Sequence, residues 1–145
     1  MHKVIIDTNI FYSAIGFDGS LLDLVILLYS NNNYQIYFSE FTYAELLEKM
    51  YSSRFYVITK NKVPKEFVQN HIKLIKLNSR FVQPTIKIKL ARDLDDNMFL
   101  ELALEVNADY IISGDKDLLE LKEFQATKIL KPSEFIEELG LTINN

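Results

Sequence analysis

Apolar residues fall in short clusters separated by polar punctuation, and the period within each cluster tells strand from helix. Val4, Ile5 and Ile6 form an unbroken β-branched run, the pattern of a short strand covered on both faces, so Lys3–Asp7 reads as a strand with Asp7 at its carboxyl end. Ser20 is placed as the N-cap of an apolar helix through Leu21, Leu22, Leu24, Val25, Leu28 and Tyr29, stopped by Asn31, Asn32 and Asn33. A second strand is expected at Tyr34–Phe38. Ser39 and Thr42 open a helix in which Phe41, Ala44, Leu47 and Met50 recur at helical spacing, with Glu45 in its early turns. Pro64 begins a long amphipathic helix carrying Phe67, Val68, Ile72, Leu74 and Ile75, with Lys65, Lys73 and Lys76 on its polar face.

Arg80–Gln83 reads as a further strand. Beyond it Ile86, Ile88 and Leu90 alternate with Lys87 and Lys89, the period of a half-exposed extended segment. Asp93, Asp95 and Asp96 stand in or before the first turn of a helix built on Phe99, Leu100, Leu102, Ala103 and Val106. Tyr110–Ser113 is a strand, Gly114 turns the chain into Asp115, Lys116 and Asp117, and a short helix follows at Leu118–Leu121. Thr127–Leu130 is the last strand, and Pro132 starts a helix that runs through Phe135, Ile136 and Leu139 to Gly140. Strands alternating with helices imply an α/β fold, a mainly parallel sheet with helices on both faces. A length of 145 residues suits a single core, so one domain is expected over residues 1–145.

Composition narrows the chemistry. With no cysteine, disulfides, thiolate metal sites and a cysteine nucleophile are excluded, which leaves oxygen ligands and two histidines for any metal. His2 is terminal and His71 lies on the basic helix, so neither suggests an acid–base catalyst. Four glycines, Gly16, Gly19, Gly114 and Gly140, make neither a phosphate loop nor a dinucleotide fingerprint. No apolar run approaches the roughly 20 residues of a membrane span, and the cytoplasm is the expected location.

The net charge of −4 argues globally against a polyanionic partner, but its distribution does not. From Arg54 to Arg92 stand ten of the sixteen basic residues and a single acid, Glu66, hence +9 there; with −4 overall, the remainder carries −13. That asymmetry fits a polyanion-facing surface beside an acidic pocket, although a charge run is more often a solvated face.

In open α/β sheets ligands bind beyond the carboxyl ends of strands, and Asp7 and Asp115 both fall at such ends. The helices of Glu45 and Asp96 begin after segments arriving at the same edge, so four carboxylates from distant sequence meet there and would repel without a cation. Mg²⁺ or Mn²⁺ is the matching counter-charge. Taken singly, each acid has a plainer reading. Asp7 suits the turn at Thr8 and Asn9, Glu45 stands four residues before Lys49 as in a surface ion pair, Asp93, Asp95 and Asp96 are natural helix-start residues, and Asp115 and Asp117 are turn formers.

Four segments in order, VIIDTNIF (4–11), SEFTYAELL (39–47), RDLDDNMFLELA (92–103) and ADYIISGDKDLL (108–119), with ILKPSEF (129–135) closing, resemble the PIN-domain family over nearly the whole chain. The resemblance implies a three-layer α/β/α fold and a metal-dependent nuclease whose acids correspond to Asp7, Glu45, Asp96 and Asp115, with Asp117 in support. Ser113 stands where the family often has Thr, and keeps a hydroxyl able to orient a carboxylate. Leu94 replaces a proline common in the closest subgroup, which leaves Asp93 and Asp95 as rivals of Asp96 for the third acid. Small stand-alone members resemble the toxin ribonucleases of prokaryotic type II toxin–antitoxin pairs, which implies an RNA substrate, a cognate antitoxin and a homodimer. On that view the basic 54–92 stretch guides the RNA backbone. A receiver-like switch module, an inert acidic-pocket fold and a nuclease of DNA or structured RNA are the alternatives. Tyr12, Phe17, Tyr43, Tyr51, Phe55 and Tyr56 are candidates for a partner groove, with core packing as the plainer reading.

Overall fold

The structure, a computed structural model, describes residues 1–90 and 94–141. The chain runs β1 (His2–Ile6), α1 (Thr8–Gly16), α2 (Gly19–Ser30), β2 (Tyr34–Phe38), α3 (Glu40–Met50), α4 (Ser53–Ile58), α5 (Lys65–Leu77) and β3 (Ser79–Phe81). It continues with α6 (Leu94–Val106), β4 (Tyr110–Ile112), α7 (Lys116–Leu121), β5 (Glu123–Phe124), β6 (Thr127–Leu130) and α8 (Pro132–Glu138). The strands form one sheet in the order β3-β2-β1-β4-β6-β5, parallel throughout except for the antiparallel β5–β6 edge.

This order fixes where a ligand can sit. From β1 the chain moves outward through β2 to β3, then returns to the opposite side of β1 for β4. The direction of winding therefore reverses between β1 and β4, where Val4 pairs with Ile36 on one side and Tyr110 on the other. Loops leaving these two strands diverge and open a crevice at the carboxyl edge of the sheet. Asp7 directly follows β1 at that crevice, and Ser113 directly follows β4.

Side-chain alternation on the central strands builds a core on each face of the sheet, giving the three-layer α/β/α fold. Val4, Ile6, Ile36, Phe38 and Ile112 pack on one side with apolar residues of α1 to α5 and with Phe135 of α8. Ile5, Tyr37, Ile111 and Ile129 pack on the other with Phe99, Leu100, Leu102, Ala103 and Val106 of α6 and Leu118 of α7.

Several local readings change in the structure. The chain from Thr8 to Gly16 is a helix, because Asp7 caps it through Asn9 and because Ile10, Phe11, Ala14 and Ile15 form a buried stripe at helical spacing. Asp18, rather than Ser20, caps α2, its side chain accepting from the backbone N–H groups of Ser20 and Leu21. In α3 the buried line is Thr42, Leu46 and Met50, while Phe41 and Ala44 face solvent. Helix α4 is absent from the sequence reading. It is held by Phe55, fully buried, whose ring lies so close to Gly16 that a Cβ there would stand 2.9 Å from it. The alternating 86–90 segment joins no strand and lies along α6. Of its apolar residues only Ile88 is partly buried, Ile86 and Leu90 being exposed, because the segment is anchored through backbone N–H groups rather than through an apolar face.

Candidate metal centre

Each acid is delivered by a local rule of helix or turn formation. Asp7 leaves β1 and caps α1, with Oδ1 accepting from the Asn9 backbone N–H at 3.2 Å and Oδ2 from the Ser113 hydroxyl at 2.7 Å. Ser113 is completely buried and also accepts from the Asp115 backbone N–H at 2.9 Å, so one hydroxyl ties the ends of β1 and β4 together. Asp115 caps α7, accepting from the backbone N–H groups of Asp117 at 2.8 Å and Leu118 at 3.3 Å. Asp96 lies in the first turn of α6, where the helix dipole favours negative charge, and is only 5% exposed. The turn-forming and capping readings of Asp7 and Asp115 are thus correct, and they place these carboxylates at the crevice.

Carboxylate oxygens of Asp96, Asp115 and Asp117 lie within 4.8 Å of one another, a spacing at which one cation can bridge them. Asp7 and Glu45 flank this group on its β1 and α3 side: Asp7 feels the charge of Asp115, and Glu45 feels those of Asp7 and Asp95. Burial raises the pKa of both Asp7 and Glu45 above their ordinary values. For Asp7 the bonds from Ser113 and Asn9 and the charge of Lys49 oppose that rise, and for Glu45 Lys49 does so. Glu45 Oε2 is buried with no hydrogen-bond donor, an arrangement that costs stability unless something positive meets it. Of the rivals for the third acid, Asp95 is exposed and Asp93 lies outside the described residues.

Lys49 is the residue whose role was least legible. Its spacing suggested a plain surface pair with Glu45, and the pair exists at 3.1 Å. The same ammonium also donates to Asn9 Oδ1 at 2.9 Å, linking α3 to the first turn of α1 across the acidic crevice. Lys49 therefore acts as a resident counter-charge for Glu45 and Asp7. Lys49→Met is expected to lower the stability of the metal-free protein by about 1 kcal/mol, less than for a fully buried pair because Lys49 is 37% exposed. Urea denaturation in chelator measures this, and an unchanged midpoint would show the pair to be energetically neutral.

Three acids grouped at a switch point, with Asp7 and Glu45 beside them and a buried hydroxyl joining the ends of β1 and β4, prompt comparison with known proteins. A family model described as the PIN domain matches residues 3–117. The chain belongs to the PIN-domain family. The uncharacterized protein MJ1680 of Methanocaldococcus jannaschii is 30% identical over an alignment spanning 94% of this chain and 90% of that protein. Among solved structures, VapBC2 from Rickettsia felis, in a crystal structure bound to a DNA fragment from its promoter, is similar with a TM-score of 0.53. That alignment has 19% identity and covers 88% of this chain and 96% of the other. At that identity the likeness speaks for the fold, and it agrees with the mainly parallel six-stranded sheet of this PIN domain. No helix among the described residues is long and apolar enough to cross a membrane.

Proposed function

We propose that this PIN domain is a metal-dependent endoribonuclease, one folding domain over residues 1–145, and the toxin half of a type II toxin–antitoxin pair. The observation that carries the metal-nuclease reading is the convergence of Asp96, Asp115 and Asp117 within 4.8 Å, beside Asp7 bonded to Ser113. Clustered carboxylates suit a hard cation such as Mg²⁺ or Mn²⁺. The donor set fits one: oxygen ligands only, two flanking acids raised by burial, and a buried carboxylate oxygen on Glu45 with no donor. A bound divalent cation supplies Lewis acidity to the phosphodiester and a more acidic water for attack.

The protein's own contribution is positional. Ser113 holds the Asp7 carboxylate toward the crevice, the α7 N-terminus fixes Asp115, and the first turn of α6 fixes Asp96. Asp7, Glu45, Asp96 and Asp115 are assigned the catalytic and metal-holding roles, with Asp117 as a further ligand. Lys49, with its ammonium at the crevice mouth, is suited to meet a phosphate oxygen once a cation takes over its acidic partners. The described basic residues between Arg54 and Lys89 are exposed and available to a nucleic-acid backbone, while Arg92 lies outside the described residues.

RNA as substrate, an antitoxin partner, a homodimer and a cytoplasmic location belong to the same reading; family membership and the fold likeness to the VapBC2 complex support it. The test is cleavage of matched single-stranded RNA, single-stranded DNA and duplex oligonucleotides by antitoxin-free protein, with Mn²⁺ or Mg²⁺ and with chelator. RNA cleavage that chelator abolishes is expected. Cleavage of DNA alone would replace the ribonuclease reading with a DNA-processing one, and cleavage that persists in chelator would remove the metal.

A further inference from the structure

The segment following β3 forms a strap along α6. Thr85 donates from its backbone N–H and hydroxyl to Glu105 Oε1 at 2.9 and 3.0 Å, the Ile88 N–H donates to Glu101 Oε1 at 3.0 Å, and the Leu90 N–H donates to Asn97 Oδ1 at 3.1 Å. The acceptors stand at successive four-residue steps on one face of α6, and Ile88 packs into the core on that side. Backbone donors that a sheet would have paired are thus satisfied by side chains, and the strap is fixed in place with Lys87 and Lys89 exposed.

Across from the strap stands Phe41, 49% exposed on the first turn of α3, with the Lys87 ammonium 5.5 Å from its ring centroid. Phe41, the strap lysines, Asp95 and Met98 line a cleft of about 330 Å³. Phe41 precedes Glu45 by four residues, so the two side chains leave the same face of α3 with their Cβ atoms roughly 6 Å apart. The cleft is bounded by Asp95, Asn97 and Met98 in the first turns of α6, the chain neighbours of Asp96 of the acid group. An exposed aromatic face, flanked by cations and one helical turn from the acids, offers two contacts at once: stacking for a flat base and a positive charge for the phosphate beside it.

We propose that this cleft is a nucleobase subsite, in which a base of a single-stranded nucleic acid stacks on Phe41 while Lys87 and Lys89 hold the adjoining phosphates and direct the strand into the acidic crevice. The proposal rests on the nuclease reading and deepens it by naming the residues that receive an unpaired base, since a base within a duplex has its faces already covered. Lys87 gives up its cation–π contact with Phe41 to the phosphate as the base arrives.

Fluorescence anisotropy with a labelled single-stranded oligoadenylate tests it, in the Asp96→Asn background and in parallel with the otherwise wild-type chain in chelator. Phe41→Ala is expected to weaken binding about 5- to 150-fold, the range for one base–aromatic stack, and Phe41→Trp to restore it. Lys87→Gln is expected to weaken binding and to reduce the salt slope by about one counterion. The corresponding duplex should bind more weakly than the single strand and be indifferent to Phe41→Ala. Equal single-strand affinity of wild type and Phe41→Ala, or no single-strand binding by either protein, overturns the subsite. Cleavage by the wild-type chain is scored separately: binding lost in Phe41→Ala without any cleavage by wild type removes the nuclease reading and keeps the subsite.

Discussion

Asp96→Asn is expected to reduce phosphodiester cleavage by more than about 100-fold, since changes to groups that merely support a metal ligand already cost 10- to 100-fold. Asp96 is buried in the first turn of α6 and belongs to the three-acid group. Asparagine keeps its shape and an oxygen acceptor but removes the charge a hard cation requires. Asp95→Asn separates the two neighbours: Asp95 is exposed, so its loss should cost less than about tenfold, the lower end for supporting groups. Initial rates at saturating Mn²⁺, with thermal melts to confirm folding, measure both. Equal losses would mean that the acids act only through their summed charge.

Divalent metal is expected to stabilise the folded protein strongly. A ligand that binds only the native state at a hundred times its Kd adds about 2.7 kcal/mol. For a chain of this size that corresponds to a rise in Tm of roughly 5–10 °C. The gain should depend on pH with a definite sign. Burial raises Asp7 and Glu45 above their ordinary values of 3.8 and 4.5. A carboxyl whose folded pKa is raised contributes stability that is complete below the unfolded value and lost as pH rises through the folded one. Metal-free stability should therefore decline from about pH 4 upward as these two groups ionise, while the benefit of Mn²⁺ grows over the same window, because protons must leave before the cation binds. Asp7→Asn retains the cap oxygen but not the buried charge, so it should melt higher than wild type in chelator at neutral pH and respond less to Mn²⁺. Melting curves at several pH values with Mn²⁺ or chelator test this; a wild-type Tm that ignores Mn²⁺ at neutral pH would count against the site.

The parts of the fold legible in the sequence are those set by local pattern. Tyr34–Phe38 and Thr127–Leu130 are strands over the expected residues, and Lys65–Leu77 is the basic amphipathic helix that follows Pro64. Helix α1 was hidden because Asp7, Thr8 and Asn9 look like a turn, and only the buried stripe from Ile10 to Ile15 turns that start into a helix. The 86–90 alternation predicted a half-exposed segment, but of its apolar positions only Ile88 packs while Ile86 and Leu90 are exposed, and no local signal says that the strap's partners are Asn97, Glu101 and Glu105 rather than a strand. Of the aromatic residues considered for a partner groove, Phe55 is core, while Phe17 and Tyr51 are substantially exposed.

The acids follow the same division. Capping and turn rules read Asp7, Asp96 and Asp115 one at a time; the strand-end rule brought them to one edge of the sheet and the family resemblance specified the set, while their actual meeting depends on the crossover that sets β4 beside β1. Burial distinguishes Asp96 from Asp95, a difference invisible in three aspartates within four positions. The Lys49 contact with Asn9 spans forty positions, so the helix spacing could reveal only its other half. Charge segregation was visible at once, whereas the placement of Lys87 over Phe41 required the strap.

The central claim is that acids from separate segments hold one catalytic cation site, and the most direct measurement is anomalous diffraction from crystals soaked in Mn²⁺. A peak is expected at about 2.1 Å from carboxylate oxygens of Asp96 and Asp115, with Asp117 or Asp7 in the same coordination shell, and it should vanish in Asp96→Asn. A saturating soak that leaves this crevice empty, or a peak confined to acids elsewhere on the surface, would contradict the claim.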